Sequence, residues 1–148
     1  MGDTETATDA IDVLMVEDNA GDARLAREAF DATDSQVRLT VVSDGASAID
    51  RLLSEETALP SLVLLDLNLP GADGRTVLEA CKSRPTLRRT PVVVFSSSDA
   101  PEDVCDVYDH HANAYVTKPR DADGFFDTIR QLTGFWFSAA TLPEVCRS

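Results

Sequence analysis

The chain has 148 residues, 43% of them hydrophobic, which fits one domain at the usual span of about 100 to 200 residues and allows a full core without staples. Its 26 acidic residues against 13 basic ones leave a net charge of -13, a field that repels phosphate backbones and argues against direct nucleic-acid binding. No apolar run is long enough to span a bilayer, and residues 1 to 10 lack the basic start and apolar stretch of a signal peptide.

The first predicted element is a strand, Ile11 to Val16, which ends in Glu17-Asp18. Asn19 is placed to cap a helix over Ala20 to Ala32, with Leu25, Ala26, Ala29 and Phe30 as its inward stripe. Val37 to Ser43 is β-branched and short, a second strand. Asp44-Gly45 punctuates, and Ile49, Leu52 and Leu53 mark a helix that ends before Pro60. Leu62 to Leu65 is a third strand ending in Asp66, and the following Pro70, Gly71 and Gly74 make a loop. A helix over Arg75 to Ser83 is stopped by Pro85. Pro91 to Phe95 is a fourth strand with its proline at the start, where no ladder bond is lost, and it ends in Ser96. Asp99-x-x-Glu102 has the form of a capping box for a helix carrying Val104, Val107 and Tyr108. Ala114 to Thr117 is a short fifth strand ending in Lys118-Pro119, and Phe125, Ile129 and Leu132 line a fifth helix.

Continuous Val, Leu and Ile without alternation suits strands covered on both faces. Five strand-helix units with right-handed crossovers give a doubly wound α/β domain with a five-stranded parallel sheet. The expected organisation is a polar tail over residues 1 to 10, a domain over 11 to 133, and an aromatic extension over 134 to 148 that carries Phe135-Trp136-Phe137. In such sheets the chemistry lies at the carboxyl ends of the strands. With strand order 2-1-3-4-5, Glu17, Asp18, Asp66, Ser96 and Lys118 converge on one crevice.

Three crowded carboxylates repel one another unless a cation is bound, and a hard oxygen-lined site suits Mg²⁺. In that setting Asp66 can act as a nucleophile toward a phosphoryl group and form an aspartyl phosphate. Lys118 supplies a point charge and Ser96 a hydrogen bond for the phosphoryl oxygens. Lys118 is one of only two lysines, the other being Lys82.

Four ordered motifs carry a family resemblance: Val16-Glu17-Asp18-Asn19, residues 64 to 74, residues 92 to 98 and residues 112 to 119. Over roughly residues 10 to 133 the chain resembles response-regulator receiver domains, chemotaxis-regulator-like and therefore flavodoxin-like in fold. Glu17 to Leu25 and the aromatic tail look most like small stand-alone, phytochrome-associated regulators, and the acid-rich, arginine-over-lysine composition gives them a haloarchaeal style. The resemblance implies a phosphorelay in which a sensor histidine kinase transfers a phosphoryl group to Asp66 and a downstream protein target reads the result by contact. It implies that Glu17, Asp18, Asp66 and the backbone carbonyl of Asn68 hold Mg²⁺, that Ser96 and Tyr115 form a switch pair, and that the Lys118-Pro119 bond is cis. Arg120 stands where an apolar residue is commoner, which suggests an unusual partner surface.

Blander readings accompany these. A lone Asp after a strand is a turn former, Tyr115 alone is core packing, and His110-His111 read as surface residues rather than ligands. Cys81, Cys105 and Cys146, odd in number and without metal-ligand spacing, read as reduced thiols of a cytoplasmic protein. A dehalogenase-type phosphatase wants a second Asp two residues after the nucleophile, where Asn68 stands, and a receiver-like module that no longer takes phosphate conflicts with the intact acids and lysine. The tail reads either as a lid on the fifth helix or as a homodimer contact.

Overall fold

All five apolar runs become neighbouring strands of one parallel sheet in the order β2-β1-β3-β4-β5. In this computed structural model, which describes residues 10–33, 36–70 and 73–143, the strands are β1 (Ile11–Val16), β2 (Val37–Val42), β3 (Leu62–Leu65), β4 (Val92–Ser96) and β5 (Ala114–Thr117). The helices between and after them are α1 (Ala20–Asp31), α2 (Gly45–Leu53), α3 (Gly74–Ser83), α4 (Pro101–Asp109) and α5 (Ala122–Gly134). Every residue of β3 and β4 is buried, as expected for central strands covered on both faces. Helices on the two sides give two apolar layers. One joins Leu52 of α2, Leu78 of α3 and Val107 of α4 to the sheet through Leu14, Val63 and Val94. The other joins Ala26 and Phe30 of α1 to Phe125 and Ile129 of α5 through Met15, Leu64 and Phe95.

Local signals act where they stand. Asn19 Oδ1 accepts from Asp22 N at 2.9 Å and starts α1, and Asp44 caps α2 through Ser47 N at 2.7 Å. One expectation fails at α4. Its N-cap is Ala100, with no side-chain bond, because Pro101 sets the helix start and leaves Asp99 outside the cap position; no capping box forms. Tyr108 faces out at 48% exposure, and its hydroxyl accepts the Tyr115 N–H at 3.1 Å. That N–H belongs to the edge strand β5, so the phenol shields a polar edge rather than filling the core.

After α5 the backbone opens into a π-helical turn, Phe135–Ala139. Trp136 and Phe137 pack partly onto the α1–α5 layer, while Phe135 is 54% exposed and meets Trp136 edge-on at 5.0 Å. Cys81 is a buried free thiol and Cys105 an exposed one; Cys146 lies outside the described residues. Among the described residues no helix is long and apolar enough to cross a membrane.

Candidate phosphoryl-acceptor site

Parallel registration brings the carboxyl ends of β1, β3, β4 and β5 to one rim. Glu17 N donates to Val42 O at 2.9 Å and Asp66 N to Val16 O at 3.1 Å, so the ladders extend just far enough to fix both acids. Asp66 is 8% exposed and Glu17 only 2%. Asp18 is exposed, yet one carboxylate oxygen from each of Glu17, Asp18 and Asp66 lies within 4.8 Å of the others. Asp66 Oδ1 accepts from Asn68 N at 3.1 Å, which makes the loop turn at once after the strand. Gly74 lets that loop close: a Cβ there would stand 2.6 Å from the Asp66 carbonyl oxygen and 2.7 Å from Leu67 Cα.

Lys118 enters from β5, its backbone N–H held by Ser96 O at 2.8 Å. Its ammonium lies 2.6 Å from Glu17 Oε1, 2.8 Å from Asp22 Oδ2 and 3.1 Å from Asp66 Oδ2. An ammonium has three donors, and here all three are engaged. Burial pushes the Glu17 carboxyl up to about 7, against the hydrogen bond and charge of Lys118, which hold it down. Burial also works against the charged form of Lys118, but its bonds to Asp22 and Glu17 and the nearby carboxylates outweigh that and raise its pKa. The site is thus short of positive charge: one ammonium serves three carboxylates, and Asp18 adds a fourth.

Ser96 is fully buried, with its Oγ accepting from Ser98 N at 3.4 Å. The Tyr115 hydroxyl donates to Ser98 O at 2.6 Å, so Ser96 and Tyr115 are linked through Ser98, in the loop that leaves β4. The structure brings Glu17, Asp18, Asp66 and Lys118 together and sets Ser96 on the adjoining strand end. No cis peptide bond occurs among the described residues; Lys118-Pro119 is trans, the lower-energy form of an X–Pro bond, against the expectation. Asp22 carries a role the sequence reading missed. An acid in the first turn of α1 is an ordinary partner of the helix dipole, and only its reach to Lys118 sets Asp22 apart.

An all-oxygen, three-carboxylate cluster within reach of solvent fits a hard divalent cation such as Mg²⁺. One of its members, Asp66, is a buried carboxylate whose two oxygens are held by a backbone N–H and an ammonium. A doubly wound sheet with these groups at its topological crevice defines a class of phosphate-handling proteins. Comparison with known proteins agrees: the model of the response regulator receiver domain matches residues 13–130, and the chain belongs to that family.

Response regulator Rcp1 of Synechocystis sp. is 38% identical over 135 residues, 88% of this chain and 92% of that one. The probable methanogenesis regulatory protein FilR2 of Methanothrix harundinacea is 36% identical over 138 residues, 91% and 89% of the two chains. Among solved structures, the phosphorylated cyanobacterial phytochrome response regulator RcpA superposes with a TM-score of 0.86 at 41% identity, covering 91% of this chain and 99% of that one. The Mn²⁺-bound form of Rcp1 gives 0.85 at 38%, covering 90% and 99%. The chain carries a receiver domain of the two-component type, which implies a histidine kinase upstream and a target downstream.

Proposed function

We propose that Asp66 is the phosphoacceptor, and the observation that carries this is Lys118 Nζ seated among Glu17, Asp22 and Asp66 beside the Glu17–Asp18–Asp66 oxygen cluster. An Asp66 carboxylate oxygen attacks the phosphorus of a phosphohistidine; the new P–O bond forms as the P–N bond breaks and the imidazole nitrogen keeps the electron pair. Glu17, Asp18, Asp66 and the Asn68 backbone carbonyl would hold Mg²⁺, which supplies charge neutralisation for the incoming phosphoryl oxygens. Lys118 turns a donor from Asp66 to a phosphoryl oxygen, and the Ser96 hydroxyl gives a second hydrogen bond. As Ser96 moves, the Tyr115 hydroxyl leaves Ser98 O, and the surface of α4 and β5 changes with it.

In this reading the protein promotes its own phosphotransfer and dephosphorylation and has no other substrate. It works in the cytoplasm by protein contact, and its charge of -13 keeps it off nucleic acid. The receiver unit spans residues 11–133, with 134–148 as an extension. Trp136 and Phe137 lie against the protein's own core, so self-association falls to Phe135 as the outward contact. Sedimentation at rising concentration tests this: a homodimer that Phe135→Ser dissolves supports it, and a monomer at all concentrations with and without phosphorylation removes it.

For Asp66, beryllofluoride with Mg²⁺ is the direct test. Binding to wild type and none to Asp66→Asn is the expected result; no binding to wild type, or equal binding to both, overturns the assignment.

A further inference from the structure

We propose that Asp22 is a positioning residue that keeps Lys118 at the site when the carboxylates around it are needed elsewhere; this rests on Asp66 as phosphoacceptor. The three acceptors of the Lys118 ammonium differ in kind. Glu17 and Asp66 belong to the oxygen cluster that fits a divalent cation, and Asp22 does not. Asp22 lies on α1, its backbone N–H pinned to the Asn19 side chain at 2.9 Å, and its carboxylate is 27% exposed where those of Glu17 and Asp66 are 1% and 9%.

Without a divalent ion, Lys118 is the counter-charge of Glu17 and Asp66. A cation can take those carboxylates only as the ammonium releases them, and a released ammonium needs an acceptor or water. Asp22 is that acceptor. At 2.8 Å it already holds one N–H, so Lys118 need only turn its other two donors about an existing anchor. The ammonium of lysine is a compact charge on a flexible stem, suited to such turning in a way a guanidinium fork is not. The two N–H groups it withdraws from Glu17 and Asp66 are then aimed at the space where phosphoryl oxygens arrive.

If Asp22 acts through Lys118, removing its charge leaves the ammonium held by Glu17 and Asp66 alone, and cation binding must then compete with a fully committed lysine. The experiment is a calorimetric titration of the full chain with MgCl₂, for wild type, Asp22→Asn, Asp22→Glu, Lys118→Met and the double variant Asp22→Asn/Lys118→Met. Asp22→Asn is expected to weaken Mg²⁺ binding about three- to tenfold, Asp22→Glu to restore most of it, and Asp22→Asn to have little effect when Lys118 is already Met, since a coupled pair departs from additivity. Equal weakening in both backgrounds means that Asp22 only adds negative charge at a distance, and this overturns the proposal. Wild-type affinity in Asp22→Asn overturns it too, while Mg²⁺-dependent beryllofluoride binding by wild type leaves the assignment of Asp66 standing. Loss of that binding in wild type itself removes both. Should Lys118→Met not fold, nitrogen-detected NMR of the Lys118 ammonium replaces the cycle: on adding Mg²⁺ its resonance must persist as a hydrogen-bonded signal in wild type and be lost to solvent exchange in Asp22→Asn. Persistence in both overturns the proposal.

Discussion

Two cations in this molecule each face three carboxylates, and they do opposite work. Lys118 is buried, 7% exposed, with Glu17, Asp22 and Asp66 around it. Arg75 is 31% exposed and bonds Asp73 and Asp103 at 3.4 and 2.9 Å, with a further close bond to Asp106. The Lys118 partners come from the strand ends and α1, and the ammonium can turn among them. The Arg75 partners come from the start of α3 and from α4, and a planar fork fixes the two helices together. Asp103 also accepts from Ser98 Oγ at 2.7 Å, so the Arg75 cluster grips the segment to which Tyr115 donates. The same ratio of charges makes a responsive site where it is buried around a flexible amine, and a brace where it is half-exposed around a rigid guanidinium.

The strongest way to break this contrast is to remove each cation. Lys118→Ala strands buried carboxylates without a partner and should cost about 3–5 kcal/mol of stability at neutral pH, the usual penalty for leaving a buried charge unpaired. Urea unfolding measures it, and added Mg²⁺ should return part of the loss by binding only the folded form. A cost below about 1 kcal/mol would equate the buried cluster with a surface ion pair.

Gly74→Ala probes the point where the two clusters touch, since Gly74 lies under the Asp66 carbonyl and Arg75 follows it directly. The added Cβ meets backbone at 2.6 and 2.7 Å, which cannot rotate away, so a loss of about 1–3 kcal/mol is expected from overpacking. Beryllofluoride affinity should fall with it because Asp66 shifts. Unchanged stability and affinity would show that the loop yields. Arg75→Ala ranks next, at about 1 kcal/mol by thermal unfolding, as partly exposed pairs contribute little each; it should leave Mg²⁺ affinity at the Asp66 site unchanged. A drop in that affinity would join the two clusters into one.

Much of this was legible in the chain. Unbroken Val and Leu runs gave central strands, the alternation of element types gave the parallel sheet, and Glu17, Asp18, Asp66 and Lys118 were visible because each ends a strand. What escaped depended on tertiary reach. Asp22 has no motif of its own in the chain, and nothing in its neighbours signals a lysine 96 positions away. Arg75 appeared as the first residue of a helix, its partners Asp103 and Asp106 more than a quarter of a hundred positions on. Tyr108 had helical spacing for the core, but an edge N–H claimed its hydroxyl. At α4 the Asp-x-x-Glu pattern was local and still failed, because Pro101 overrode it.

The smallest effect lies at the far end of the Arg75 brace. His110 Nδ1 is 2.8 Å from the Asp106 carbonyl oxygen and Nε2 3.5 Å from Glu79 Oε2. Its pKa is raised above the ordinary 6.5, first by the backbone bond to Asp106, against desolvation, and then by the charges of Asp106 and Glu79. A raised histidine favours the folded protein in its protonated form, so this contribution is fully present below pH 6.5 and disappears as pH rises through the higher folded value. Proton NMR of the imidazole should therefore show His110 titrating above 6.5. Asp106→Asn keeps the backbone carbonyl and removes only the side-chain charge, so most of the upward shift should survive it, even as Arg75 loses a partner. If the shift vanishes instead, the carboxylate rather than the helix end governs His110, and the brace then has a proton-sensitive terminus.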